Sequence, residues 1–223
     1  MYSSKSLGVA LASILLGGGA LALAGFALAS ATPHQAALNC ISQSAGNCNL
    51  NISTYPDSMA GEHGKTGGAH PDWVSYSNFN LVAPANTQIN VTLDQYDSGG
   101  ALNNPFFDQV AGTIGGTATI DGKVVSSVDP TNVGHTFTLR GIPGSGSTIF
   151  VNVPLPADGN TDGSVMKNGT AYNKPVVVQF SIKGLAKGTY EWNCEYPCGG
   201  SREGQFGQAM SSFGYMSGTL TVE

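Results

Sequence analysis

Residues 176–182 read Val176-Val-Val-Gln-Phe-Ser-Ile182, and residues 88–94 read Gln88-Ile-Asn-Val-Thr-Leu-Asp94. In the first, Val176, Val178, Phe180 and Ile182 fall on one side of an extended chain, with Gln179 and Ser181 opposite. In the second, Ile89, Val91 and Leu93 oppose Asn90, Thr92 and Asp94. A period of two is the pleat of a half-buried β-strand, since successive side chains leave a strand on opposite faces. Working outward, further β-branched and aromatic segments recur between Gly, Pro, Asn and Asp clusters: Val74–Val82, Gly116–Ile120 with Lys123–Val128, His135–Leu139, Ile149–Val153, Gly188–Trp192 and Ser217–Val222. Short strands at such spacing predict an all-β sandwich or barrel. Asp97–Gly115 and Pro154–Pro175 read as long loops. Tyr190 and Trp192 share a strand face and are expected in the core, and Trp73 and Tyr76 at the sandwich edge.

Before Trp73 the composition differs. Residues 31 to about 70 are rich in Ser, Asn, Gly and Ala and hold no sustained apolar period, which reads as a polar stalk or linker ahead of a domain spanning 71–223. Residues 1–30 form a third region. The 23 residues Leu7–Ala29 carry no charge, enough to cross a hydrocarbon core of about 30 Å as one hydrophobic helix. Lys5 is the sole charge before it and Asp57 the next after it, so the short N-terminus is expected inside and the domain on the extracytoplasmic side of the cell membrane. Ala27-Leu28-Ala29 also fits a signal-peptidase site, and a cleaved signal with a secreted domain is the alternative. Either reading exports the domain, and Cys40 with Cys48, close together in a polar stretch, is then expected as a disulfide. Asn51, Asn90 and Asn168 stand in Asn-x-Ser/Thr sequons, which makes surface glycosylation chemically possible and no more.

Charge excludes several functions. The 223 residues hold 14 acidic and 9 basic side chains for a net charge of −5, and only 10% of positions are charged. No basic patch is available for nucleic acid, no phosphate loop is present, and no Gly-x-Ser-x-Gly elbow accompanies a histidine. Metal-ligating side chains are few and concentrated. The histidines are His34, His63, His70 and His135, and His135 sits in Val133-Gly-His-Thr-Phe-Thr-Leu139, on the face shared with Phe137 and Leu139 and opposite Thr136 and Thr138. Near the C-terminus comes Thr189-Tyr-Glu-Trp-Asn-Cys194-Glu-Tyr-Pro-Cys198-Gly-Gly200, then Met210, then Met216 at the head of the last strand. Thiolate, thioether and imidazole form a soft donor set that favours copper, whereas calcium or magnesium would want carboxylates.

The order His-Thr-Phe on a strand, Tyr-x-Trp-x-Cys-x-x-x-Cys-Gly, and Met-x-Gly-Thr-Leu-x-Val resembles the cupredoxin domain of cytochrome c oxidase subunit II, which carries the dinuclear copper A centre. Leu-x-x-Pro-Ala at Leu81–Ala85 is similar to that domain's opening strand. The resemblance covers roughly residues 73–223 and implies a cupredoxin-like Greek-key sandwich behind one N-terminal hydrophobic helix. It also implies one-electron transfer with a cytochrome or an oxidase core as redox partner, so that the chain is a carrier or a subunit rather than an enzyme alone. Carried over by position, His135, Cys194, Cys198 and Met216 become copper ligands. The family's glutamate between the cysteines has its counterpart in Glu195, directly after Cys194. The family's second histidine is missing: four residues beyond Cys198 stands Arg202, and three before Met216 stands Phe213. A mononuclear copper on His135, one cysteine and Met210 or Met216, with His70 or His63 recruited, is therefore expected over a dinuclear centre. The alternative from another class is a metal-free structural or assembly module on the same scaffold with Cys194 and Cys198 joined as a disulfide.

Overall fold

The computed structural model describes residues 36–40, 47–60, 73–99, 104–198 and 208–223. The expected N-terminal helix lies outside them, and no helix among the described residues is long and apolar enough to cross a membrane. The described chain is all-β: two six-stranded sheets and one separate two-stranded hairpin. The strands are β1 (Leu38–Asn39), β2 (Cys48–Tyr55), β3 (Ser75–Tyr76), β4 (Asn80–Ala83), β5 (Ile89–Gln95), β6 (Ala118–Ile120) and β7 (Lys123–Val125). They continue as β8 (Val133–Ile142), β9 (Ser145–Pro156), β10 (Val165–Lys167), β11 (Thr170–Tyr172), β12 (Val176–Ile182), β13 (Gly188–Asn193) and β14 (Ser217–Val222). One sheet runs β1-β4-β14-β13-β8-β9 and the other β3-β2-β5-β12-β6-β7. The chain therefore changes sheet after β1, β3, β4, β7, β9 and β12.

The alternating segments behave as their pattern demands. Ile89, Val91 and Leu93 of β5 and Val176, Val178, Phe180 and Ile182 of β12 are buried, and the two strands pair antiparallel from Val176↔Gln95 to Ile182↔Ile89. Opposite them, β8 and β13 contribute Phe137, Leu139, Tyr190 and Trp192. Phe137 bridges the layers, its ring 5.4 Å from Phe180 and stacked 5.6 Å from Trp192. Two hairpins turn on Asp121-Gly122 and Asn168-Gly169, each pair with φ between +47° and +81°, the left-handed pair of a tight two-residue turn whose twist matches the strands.

Several expectations are corrected. The stretch read as a stalk contributes β1 and β2, and Gln35–Glu223 forms one unit, so the domain does not begin at residue 71. β2 pairs parallel with β5 along seven positions, from Cys48↔Ile89 to Thr54↔Gln95, and buries Leu50, Ile52 and Thr54. The Cys40–Cys48 disulfide is present, and because Cys40 follows β1 and Cys48 opens β2, it ties one sheet to the other. The segment read as one strand, Val74–Val82, breaks into β3 in one sheet and β4 in the other. Tyr76 consequently sits in the core, fully buried and edge to face with Trp192 at 4.7 Å between ring centroids, and not at the sandwich edge. The Pro154–Pro175 loop contains the β10–β11 hairpin. Both faces of β8 are covered: Thr136 and Thr138 are as buried as His135, because Asn152 beside Thr138 donates to the carbonyls of Phe107 and Gln109 in an overlying segment.

Candidate metal centre

β8 and β13 are partners only as far as the pair Asn193↔Thr138, and beyond it the two chains separate around a cluster of donors. His135 leaves β8 on the core side. Cys194 comes directly after the last residue of β13, and its N–H still reaches the Met216 carbonyl at 2.9 Å, which extends the β13–β14 ladder by one step. Cys198 follows in the loop. The ligating atoms of His135, Cys194 and Cys198 all lie within 4.8 Å of one another, and all three residues are buried. Both cysteines are free thiols, which corrects the alternative of a Cys194–Cys198 disulfide.

The imidazole is oriented from both sides. Its Nε2 lies 2.9 Å from Oδ2 of Asp97, in the segment after β5, and its Nδ1 lies 3.8 Å from the Cys194 sulfur. Nε2 is thus engaged by a carboxylate, and Nδ1 is the nitrogen turned toward the sulfurs. The Cys194 sulfur also accepts the N–H of Thr136 at 3.5 Å and that of Tyr196 at 3.4 Å. These are backbone donors that the parting of β8 and β13 leaves without a strand partner. The Cys194 sulfur also lies 3.5 Å from the Tyr196 carbonyl, and the Glu195 carboxylate accepts from the Arg140 guanidinium at 2.7 Å. The Tyr196 phenol donates to Asp108 at 2.9 Å and anchors the loop between the cysteines.

The electrostatics suit a thiolate. Burial opposes a charge on Cys194, but hydrogen bonds from Cys198 and His135, the imidazole's positive charge and the Thr136 N–H together hold its thiol well below the ordinary cysteine range. The Cys198 thiol, which donates to that sulfur and is itself buried, is pushed up. For His135, burial works against the protonated ring, yet the hydrogen bonds to Asp97 and Cys194 raise it to about 9.

Of the residues singled out from sequence, His135, Cys194 and Cys198 meet. Met216 is placed opposite Cys194, directly before β14, and is fully buried, and Met210 is buried in the short helical turn Ala209–Ser211 that precedes it. His34, His63, His70 and Arg202 lie outside the described residues. Asp97 was not foreseen. A carboxylate placed after a strand, 38 residues from the histidine it touches, leaves no local pattern, and only the Gly-rich run after it marked a turn. One imidazole and two thiols around a single point are a donor set for one soft ion, and mononuclear copper fits it.

No family model matches the chain, and no curated protein does. Similar solved structures include reduced rusticyanin, at 14% identity and a TM-score of 0.35, covering 84% of this chain and 84% of that one. Rusticyanin from Thiobacillus ferrooxidans is 13% identical with a TM-score of 0.35, over 84% of this chain and 82% of that one. A multicopper oxidase from Campylobacter jejuni is 13% identical with a TM-score of 0.30, covering 81% of this chain and 31% of its own.

Proposed function

We propose that the chain is an exported copper protein of the cupredoxin type that carries single electrons. The observation that supports this reading is the buried convergence of His135, Cys194 and Cys198 within 4.8 Å. When bound, copper supplies a one-electron couple. The protein's own residues set the conditions for it. His135 offers Nδ1 as a nitrogen donor, Cys194 offers a sulfur already disposed to be a thiolate, and Cys198 and the thioether of Met216, or of Met210, complete a soft shell. The N–H groups of Thr136 and Tyr196 on the Cys194 sulfur draw electron density from it, which is one of the levers that sets a copper–thiolate potential. Strand β8 on one side and the β13–β14 ladder on the other hold these donors in a fixed arrangement, so little has to move between oxidation states.

The motif Tyr-x-Trp-x-Cys-x-x-x-Cys-Gly with Met-x-Gly-Thr-Leu-x-Val supports kinship with oxidase subunit II, while the single imidazole among the described residues supports one copper in place of two. The apolar stretch Leu7–Ala29 supports anchoring to the cell membrane with the domain on the extracytoplasmic side. The redox partner is then another protein, a cytochrome or an oxidase core. The test is copper loading of the full chain followed by mild oxidation. One copper per chain with an intense visible thiolate-to-copper band is expected. A colourless chain that retains no copper while both thiols stay reactive overturns the proposal, and two coppers per chain replaces it with the dinuclear form.

A further inference from the structure

The side of the His135 ring away from the sulfurs is as built as the side facing them. Oδ2 of Asp97 accepts the Gly99 N–H at 2.7 Å and lies 2.9 Å from His135 Nε2. The Asp97 carbonyl accepts from the Gln95 amide at 3.0 Å and from the Asp158 N–H at 3.1 Å, so backbone and side chain of this residue are both pinned. Its loop lies against the strand that bears the histidine. Gly99 has φ +63°, and a Cβ there would stand 2.3 Å from the Cα of Gly134, the residue before His135. Only glycine combines that dihedral with that approach. The Asp97 carboxylate and the imidazole are therefore fixed to one another by the fold and not by a chance rotamer, and the width of the ring keeps the carboxylate off the ligand position.

We propose that Asp97 is the positioning residue of the metal centre: it holds Nε2 so that Nδ1 faces Cys194 and Cys198, and its charge favours the divalent state of a bound copper. A carboxylate behind a ligating histidine fixes ring orientation and raises ligand basicity, and removal of such a partner costs about 10-fold to 100-fold in metal affinity. This inference rests on the copper reading above. A competing, purely structural role is also definable. Asp97 would then serve only to accept the Gly99 N–H in its turn, a task asparagine performs as well.

The experiment compares the native full chain with Asp97→Asn and Asp97→Leu, using copper alone as the probe. Asparagine keeps an acceptor for Nε2–H and for the Gly99 turn but removes the charge, and leucine removes both. The visible band is expected in the native chain and in Asp97→Asn, since no ligand is lost. Cu(II) affinity is expected to fall about 10-fold in Asp97→Asn and about 100-fold in Asp97→Leu. A tenfold loss borne by Cu(II) alone raises the midpoint potential by about 59 mV. Proton NMR of the metal-free chains reads the ring directly: a slowly exchanging His135 Nε2–H signal is expected in the native chain and lost in Asp97→Leu. Native affinity and potential in Asp97→Asn overturn the inference while leaving the copper reading intact, and this variant decides the matter if Asp97→Leu does not fold. A native chain that takes up no copper overturns both the electron-transfer reading and the charge effect. An Nε2–H signal absent from the native chain overturns the orienting role.

Discussion

Replacing Tyr76 with phenylalanine removes one oxygen from the middle of the protein, and the structure sets the consequence. The phenol donates to the Thr136 carbonyl at 2.9 Å, and both residues are fully buried. Thr136 lies beyond the last paired position of β8 and β13, Asn193↔Thr138, so on that edge no strand satisfies its backbone. Its N–H goes to the Cys194 sulfur and its C=O to Tyr76. The Tyr76→Phe variant keeps the ring and its edge contact with Trp192 but leaves a buried acceptor without this donor, which costs about 1–3 kcal/mol. For a chain of this size each kcal/mol lowers the thermal midpoint by about 2–4 °C. Tyr76→Ala adds the loss of the ring and should cost about 3–5 kcal/mol by analogy with other buried aromatics. The assay is denaturant unfolding of the metal-free chain, read as a shift in midpoint at constant slope for both variants. A Tyr76→Phe chain within about 0.5 kcal/mol of native, the range of neutral surface changes, would refute the argument that this phenol completes the β8 backbone.

Other expectations follow from the same geometry. Cys194→Ser should abolish the thiolate-to-copper band, whereas Cys198→Ser should shift or weaken it; equal loss in both would mean that the two sulfurs are equivalent. In the metal-free chain the His135 imidazole is raised to about 9 and is therefore protonated at neutral pH, so metal uptake must displace that proton. Apparent copper affinity should accordingly rise with pH from neutral to about 9, and a pH-stat measurement that finds no proton release near pH 7 contradicts this. Replacing both Cys40 and Cys48 with alanine opens a loop with a sequence separation of 8 and should cost about 2–3 kcal/mol on the chain-entropy view, checked by unfolding midpoints. An unchanged midpoint would show that the sheets do not depend on this link.

How far the molecule could be read in advance depended on how far apart its contacts lie. The strands β5, β12 and β14 were legible because an apolar-polar alternation is written along a single segment. β2 was not, although Leu50, Ile52 and Thr54 alternate with Asn49, Asn51 and Ser53. Asparagine and serine favour turns and loops, and it is the parallel pairing with β5, about forty residues away, that makes this segment a strand. Val74–Val82 looked continuous because hydrophobicity does not record which layer a residue faces. The break between β3 and β4 carries the chain from one sheet to the other and brings Tyr76 under the metal centre.

The amino-acid order alone determined the β class, the expected short-range disulfide and the identity of the soft donors, since each depends on residue type at close spacing. Tertiary structure decided that Cys194 and Cys198 stay free, that Nδ1 of His135 is the nitrogen turned toward them, and that Asp97 stands behind the ring. Those facts arise where separate strands and loops meet at one end of a sandwich. Ring orientation, backbone donors to sulfur and a pinned carboxylate exist only once chain segments 38 to 59 residues apart have been brought within hydrogen-bonding distance.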